Sequence, residues 1–180
     1  AVDVTQIYST ERAFAALKAD GSVVTWGDDN GGSSFVASEL DGTVGVTQIF
    51  STISSFAALR EDGSVVIWGQ AIIDDPESVR ANINHPAPGE NIAQIFSNYG
   101  AFVALRADGS IGFTEGDPAY GGVLDASVLD SLVDVTQIYS TNNAFAALKA
   151  DGSVVTWGDS SGGGDSSSVA SELVNVTQIY

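Results

Sequence analysis

The sequence predicts an all-β chain, a β-propeller-type repeat array of four antiparallel blades, on three observations. The stretch "VTQIYST" begins at Val4 and returns as "VTQIFST" at Val46, "IAQIFSN" at Ile92, "VTQIYST" at Val135 and "VTQIY" at Val176, with spacings of 42, 46, 43 and 41 residues. A period in this range marks a supersecondary unit stacked on copies of itself. An Asp-Gly pair stands between two apolar runs in every unit, at Asp20-Gly21, Asp62-Gly63, Asp108-Gly109 and Asp151-Gly152. Such a pair is a strong hairpin signal and leads us to expect a two-residue type I′ turn, with positive φ at both central residues. The first hairpin strand places Ala13, Ala15 and Leu17 on one face and Phe14 and Ala16 on the other, so it is apolar on both sides until Lys18. A strand of that kind needs cover on both faces.

Each unit therefore holds at least three strands. The repeats run over residues 2–45, 46–91, 92–132 and 133–175 of a single repeat domain, and residues 176–180 begin a further one. The opening strand is short and rich in β-branched and aromatic residues, as strands are. The hairpin strand follows as "AFAALKADGS", "SFAALREDGS", "AFVALRADGS" and "AFAALKADGS", and Ala57, Ala58, Ala104, Ala146 and Ala147 leave room for a neighbouring sheet to come close. Three units continue into "VVTWG" or "VVIWG", whereas the third reads "IGFTEG" without a tryptophan, which predicts an irregular blade there. The Gly-rich and Ser-rich segments "GDDNGGSS" and "GDSSGGGDSSS" read as exposed loops. The period and the hairpins favour a propeller over a solenoid.

The sixteen residues 13–28 recur unchanged at 144–159, and residues 2–28 differ from 133–159 only where Glu11-Arg12 becomes Asn142-Asn143, the mark of a duplication spanning three units. The same strand also stands at both ends of the sequence. In a closed ring of four blades those two strands compete for one seat. The expectation is part of a longer array, or an assembly between chains through open sheet edges, ahead of a four-bladed ring.

Six basic against 23 acidic residues give a net charge of −17, which repels phosphate backbones and anionic lipid, so nucleic acid is not an expected partner. With 44% hydrophobic residues the chain can bury a substantial core. No apolar run approaches the ~20 residues of a membrane span, and residues 1–12 lack the pattern of a signal peptide. There is no cysteine, hence no disulfide framework, which is compatible with a protein exported from a bacterium.

Chemical constellations are few. His85, the only histidine, lies in the Pro-rich loop "NHPAPGE", and no G-x-S-x-G pattern accompanies it, so no catalytic residue is assigned. Asp74 and Asp75 are adjacent and point apart on extended chain, unlike a glycosidase pair. Asp28, Asp29 and Asn30, with Asp159 and Asp165 in the equivalent loop, are candidate oxygen ligands for Ca²⁺, although neither loop matches a calcium motif and turn capping is the competing role. No other cofactor is expected. Trp26, Trp68 and Trp157 recur at one strand end and are candidate binding residues, with packing between blades the stronger expectation.

The run "FAALKADGSVVTWGDD" at 14–29, with "FAALREDGSVVIWGQ" at 56–70 and "FAALKADGSVVTWGDS" at 145–160, resembles the repeat of the regulator of chromosome condensation family. The resemblance implies a β-propeller and looks most like compact secreted bacterial members, a β-lactamase inhibitory propeller among them. The family spans exchange factors, inhibitors and binding modules, so the likeness speaks for fold more than for function. Two functions are expected. The first is a non-enzymatic structural or adhesive module, extracellular and bacterial, that binds protein or glycan or assembles with copies of itself. The second is an inhibitor or regulator that grips an enzyme across one rim; Gly-rich and Ser-rich loops weigh against it.

Overall fold

The computed structural model describes residues 3–28, 37–69 and 91–180. These residues form four three-stranded antiparallel sheets, each a meander of consecutive strands. Sheet one holds β1 (Val4–Ser9), β2 (Ala13–Lys18) and β3 (Val23–Gly27), and sheet two holds β4 (Val46–Ser51), β5 (Ser55–Arg60) and β6 (Val65–Gly69). Sheet three holds β7 (Ile92–Ser97), β8 (Ala101–Arg106) and β9 (Ile111–Gly116), and sheet four β10 (Val135–Ser140), β11 (Ala144–Lys149) and β12 (Val154–Gly158). The all-β, propeller-type blade architecture expected from the repeats is the one observed.

Within each blade the sequence specifies local irregularity as well as pairing. The β1–β2, β4–β5 and β10–β11 ladders all slip at their second residue, between Val4 and Gln6, Val46 and Gln48, and Val135 and Gln137. The residue at the slip is a threonine whose Oγ1 donates to the opposite carbonyl: Thr5 to Leu17 at 3.1 Å, Thr47 to Leu59 at 3.1 Å and Thr136 to Leu148 at 3.0 Å. The hydroxyl thus satisfies an acceptor that the bulged ladder leaves open.

The Asp-Gly turns correct one expectation. They are not type I′. In the first, Gly21 N–H donates to the Lys18 carbonyl and Lys18 N–H to the Ser22 carbonyl, both at 2.9 Å, and of the two central residues only Gly21 has positive φ, at 77°. That is a type I turn closed by a glycine bulge, and the other three hairpins repeat its bonds through Gly63, Gly109 and Gly152. The aspartate side chain decides the outcome. Asp20 Oδ1 accepts from Ser22 N–H at 3.0 Å and from Ser22 Oγ at 2.6 Å, a local cap that a left-handed aspartate would not need.

The chain forms two compact units, Ala1–Ile92 and Ala93–Tyr180. In the first, Ala13, Ala15 and Leu17 of sheet one pack with Val46, Ile49, Phe56, Ala58, Val66 and Trp68 of sheet two, and Leu40 from the intervening loop completes the cluster. The second unit is built alike: Ala101, Val103, Leu105 and Ile111 meet Val135, Ile138, Phe145, Ala147 and Trp157, with Leu132 from the loop. Small residues on one sheet let the large residues of the next seat fully. Each buried Leu, Ile or Phe contributes about 1.5–3 kcal/mol of transfer free energy.

A backbone bond runs from the start of each following repeat to the turn glycine before it. Val46 N–H donates to the Gly21 carbonyl, Ile92 to Gly63, Val135 to Gly109 and Val176 to Gly152, at 2.9, 3.2, 2.9 and 2.9 Å. The turn glycine is needed twice over here. It takes the positive φ, and a Cβ on Gly21 would stand 2.6 Å from the Gly45 Cα, one on Gly152 2.8 Å from the Asn175 Cα. Asp134 and Asn175, just ahead of two of these junctions, are the non-glycine residues at positive φ among those described.

The third blade departs from the pattern where the sequence does. Glu115 stands opposite Phe102, the place of tryptophan elsewhere, and the β8–β9 register shifts between Ala104 and Leu105. Behind it come a 3-10 turn (Pro118–Tyr120) and a short helix, α1 (Ala126–Ser131), an element that the repeat pattern did not signal. Asp117 caps the turn by accepting from Ala119 N–H at 2.8 Å, and Tyr120, Leu124 and Val128 lean on the core of this unit.

Candidate interaction face

Cross-strand aromatic pairs mark one face of the blades. Register sets Phe14 opposite Trp26, Phe56 opposite Trp68 and Phe145 opposite Trp157. The rings stack with centroids 5.3, 5.1 and 5.4 Å apart, each at 23°. Stacking of this kind adds to what burial alone contributes. Trp157 also donates its indole N–H to the Gly121 carbonyl at 3.2 Å, whereas the buried indole N–H of Trp68 has no partner among the described residues.

Identical residues meet different surroundings. Phe145 and Trp157 are 1% and 5% exposed, while Phe14 and Trp26, in the same sequence and the same stack, are 45% and 44% exposed. Val4, Ile7 and Val24 extend the open surface beside them, whereas in the fourth sheet Val135 and Ile138 are buried and Val155 is half-buried. The second and fourth sheets have this face covered by the alanine-rich face of the sheet before them. Five large apolar side chains thus lie together on one exposed sheet face, a candidate interaction patch. Its rim carries an exposed ion pair, Arg12 Nη1 to Asp28 Oδ2 at 3.7 Å, which sits too far into solvent to contribute much.

The tryptophans thus divide between two roles. Trp68 and Trp157 pack between blades, and Trp26 belongs to an open surface. Sequence reasoning singled out Trp26 but missed Val4, Ile7, Phe14 and Val24. Their letters are those of buried residues elsewhere, so only their place in the stack distinguishes them.

The carboxylates considered for Ca²⁺ are placed as follows. Asp28 is in the ion pair with Arg12. Asp159 precedes a 3-10 turn and accepts from Ser161 N–H at 3.1 Å and, through its other oxygen, from Ser161 Oγ at 2.7 Å. Asp165 accepts from Ser167 N–H at 2.9 Å. Both are held below the usual carboxylate range, Asp159 chiefly by the serine hydroxyl and Asp165 chiefly by the backbone amide. No group of three or more acidic, histidine or cysteine side chains suited to a metal occurs among the described residues. Asp29, Asn30, Asp74, Asp75 and His85 lie outside the described residues. No described helix is long and apolar enough to cross a membrane.

No family model matches the sequence, and no curated protein matches it. Solved structures do match the fold. Yeast RCC1 (Prp20), solved bound to Kap60, superposes with a TM-score of 0.61 at 18% identity, over 86% of this chain and 43% of that one. Human WBSCR16 gives 0.58 at 19%, over 87% and 47%. The CRINKLY ectodomain of the Arabidopsis thaliana receptor kinase ACR4 gives 0.57 at 14%, over 88% and 54%. The chain spans about half the length of these proteins and shares the fold of RCC1-like propeller blades.

Proposed function

We propose that this chain is a non-enzymatic repeat module of an extracellular bacterial protein, structural or adhesive, that joins other molecules through the open face of its first sheet. The observation that carries the reading is the exposure of the Phe14–Trp26 stack beside Val4, Ile7 and Val24, when the copies of that stack, of Val4 and of Ile7 in the fourth repeat are buried against a neighbouring sheet. A solvent-exposed aromatic cluster rimmed by polar residues is the composition of a protein-binding centre, and glycan stacking on Trp26 is the second use it permits. The fold agrees with an interaction role: yeast Prp20, of similar blades, is described in complex with Kap60 and as binding Gsp1p and histones. The acidic, cysteine-free composition supports an exported setting and opposes polyanionic partners.

Hydroxyl-radical footprinting tests the reading. The protein recovered intact from the surface of its source should show Trp26 and Phe14 protected, and the purified chain in dilute solution should show them oxidised. Equal oxidation in both settings would overturn it.

A further inference from the structure

The third and fourth repeats depart from their copies at one corner of unit 2, and we infer that this corner binds a neutral saccharide chain at the exposed ring of Tyr99. The site is built wholly within that unit and owes nothing to the first-sheet face. The turn between the first two strands of each repeat reads Thr10-Glu11-Arg12, Thr52-Ile53-Ser54, Asn98-Tyr99-Gly100 and Thr141-Asn142-Asn143. Each threonine accepts, through Oγ1, from the backbone N–H three residues on. Asn98 keeps that cap, accepting from Ala101 N–H at 2.9 Å through Oδ1, and adds a bond of its own, from Nδ2 to the Tyr120 carbonyl at 2.7 Å. Gly100 makes room for the ring, since a Cβ there would stand 2.5 Å from Tyr120 Cδ2.

Two substitutions in one turn thus seat Tyr120. Tyr120 in turn supports Tyr99, with ring centroids 5.5 Å apart and the planes tilted by 37°. Tyr120 also leans on the core of the unit, but Tyr99 is 46% exposed. Packing accounts for the first ring and not for the second.

The fourth repeat supplies the polar side. Residues 133–159 differ from residues 2–28 at two positions, and both fall in the turn that bonds to Tyr99, whose N–H donates to the Asn142 carbonyl at 3.2 Å. In the first repeat the pair is charged, Glu11-Arg12, and Arg12 reaches Asp28. Here it is two amides. Asn142 is exposed, and the Asn143 side chain is directed to the Asp159 carboxylate.

This chemistry selects a sugar. An amide sets a donor and an acceptor side by side, the complement of two neighbouring hydroxyls. The negative face of an aromatic ring attracts the C–H face of a pyranose. Segments 98–100, 117–122, 141–143 and 159–164 hold no lysine or arginine and include Asp117 and Asp159, so an anionic sugar is repelled. A protein partner fits less well, because one half-exposed ring with an amide beside it falls far short of the about 800 Å² a side that a stable interface buries.

Saturation-transfer NMR of the full 180-residue chain tests this, with neutral oligosaccharides of glucose, N-acetylglucosamine, mannose and galactose as probes and an oligogalacturonate as the anionic control. At least one neutral oligomer should bind, and more tightly than the galacturonate. Two variants borrow residues that the chain already carries at this turn: Tyr99→Ile, after Ile53, and Asn142→Glu with Asn143→Arg, after Glu11-Arg12. Each should weaken binding about tenfold. Tyr99→Phe keeps the ring and should bind nearly as wild type does, and circular dichroism confirms the fold of each variant. Hydroxyl-radical footprinting of the wild type needs no variant: the bound oligomer should protect Tyr99. Absence of binding by every neutral oligomer, preference for the galacturonate, or binding untouched by Tyr99→Ile would overturn the inference. Protection of Trp26 with Tyr99 still oxidised would move the sugar to the first-sheet face and overturn it too. Tyr99 protected in material from the source, when the purified chain binds no saccharide, would assign the corner to a protein and overturn the saccharide.

Discussion

Trp157 donates its indole N–H to the carbonyl of Gly121, 3.2 Å away, from a ring that is almost wholly buried. Trp26 has the same sequence neighbours for thirteen residues on its N-terminal side and an exposed ring. The pair makes a controlled comparison. Trp157→Phe removes a hydrogen bond and buried volume and should cost about 1–3 kcal/mol. Trp26→Phe should stay within about 0.5 kcal/mol in the dilute, unassociated chain. Urea unfolding of the two variants measures the difference.

The bulge threonines offer a second test. Thr47 Oγ1 donates to the Leu59 carbonyl, half-buried, at 3.1 Å. Thr47→Val keeps the shape and removes the donor, leaving that acceptor unmatched, and should cost about 1 kcal/mol in a chemical melt. Ala93 occupies this position in the third repeat, so an intact sheet is expected in the variant.

Acid should destabilise the chain through its turns. Asp20, Asp62, Asp108 and Asp151 are all held below their ordinary value of 3.8, first by the hydroxyls of Ser22, Ser64, Ser110 and Ser153. A carboxylate with a depressed folded value binds its proton more readily in the unfolded chain. Its contribution is therefore complete above about pH 4 and is lost as pH falls through the folded values. Relief of repulsion among 23 acidic residues acts in the opposite direction over the same range. Thermal midpoints between pH 7 and pH 2 should fall below about pH 4 in the wild type, and Asp108→Asn should flatten that limb.

Turn glycines should tolerate no side chain. Gly63 has φ of 78°, and a Cβ there would stand 3.0 Å from the Asn91 Cα. Gly63→Ala strains the turn and pushes away the strand that donates to its carbonyl, so a loss well above the ~1 kcal/mol of a conformational penalty alone is expected from thermal unfolding.

Calcium should leave the stability of the chain unchanged. Asp159 accepts from Ser161 through both carboxylate oxygens and Asp165 from Ser167 through one, turn-capping bonds that hold them without an ion. Differential scanning calorimetry with excess Ca²⁺ and then with chelator should give one midpoint; a rise with calcium reversed by chelator would assign the acidic loops to metal.

The blades were legible because repetition multiplies a weak local signal. One Asp-Gly pair or one "VTQIY" is ambiguous, but four in register define a three-stranded unit. The third blade was legible as an exception for the same reason, since Glu115 falls where tryptophan recurs. Turn type was not legible, because the Asp20 side chain bonds to Ser22 and so changes the conformation that the dipeptide favours. The open face was not legible either. Phe14 and Phe145 are the same residue in the same local sequence, and burial depends on what lies across from them.

The junction bonds from Val46, Ile92, Val135 and Val176 to the preceding turn glycines involve only main-chain atoms. The bonds themselves are indifferent to the side chains of the intervening loop, whose Leu40 and Leu132 are the residues that the packing does require. Other loop residues can thus vary in number and composition while each junction bond is kept.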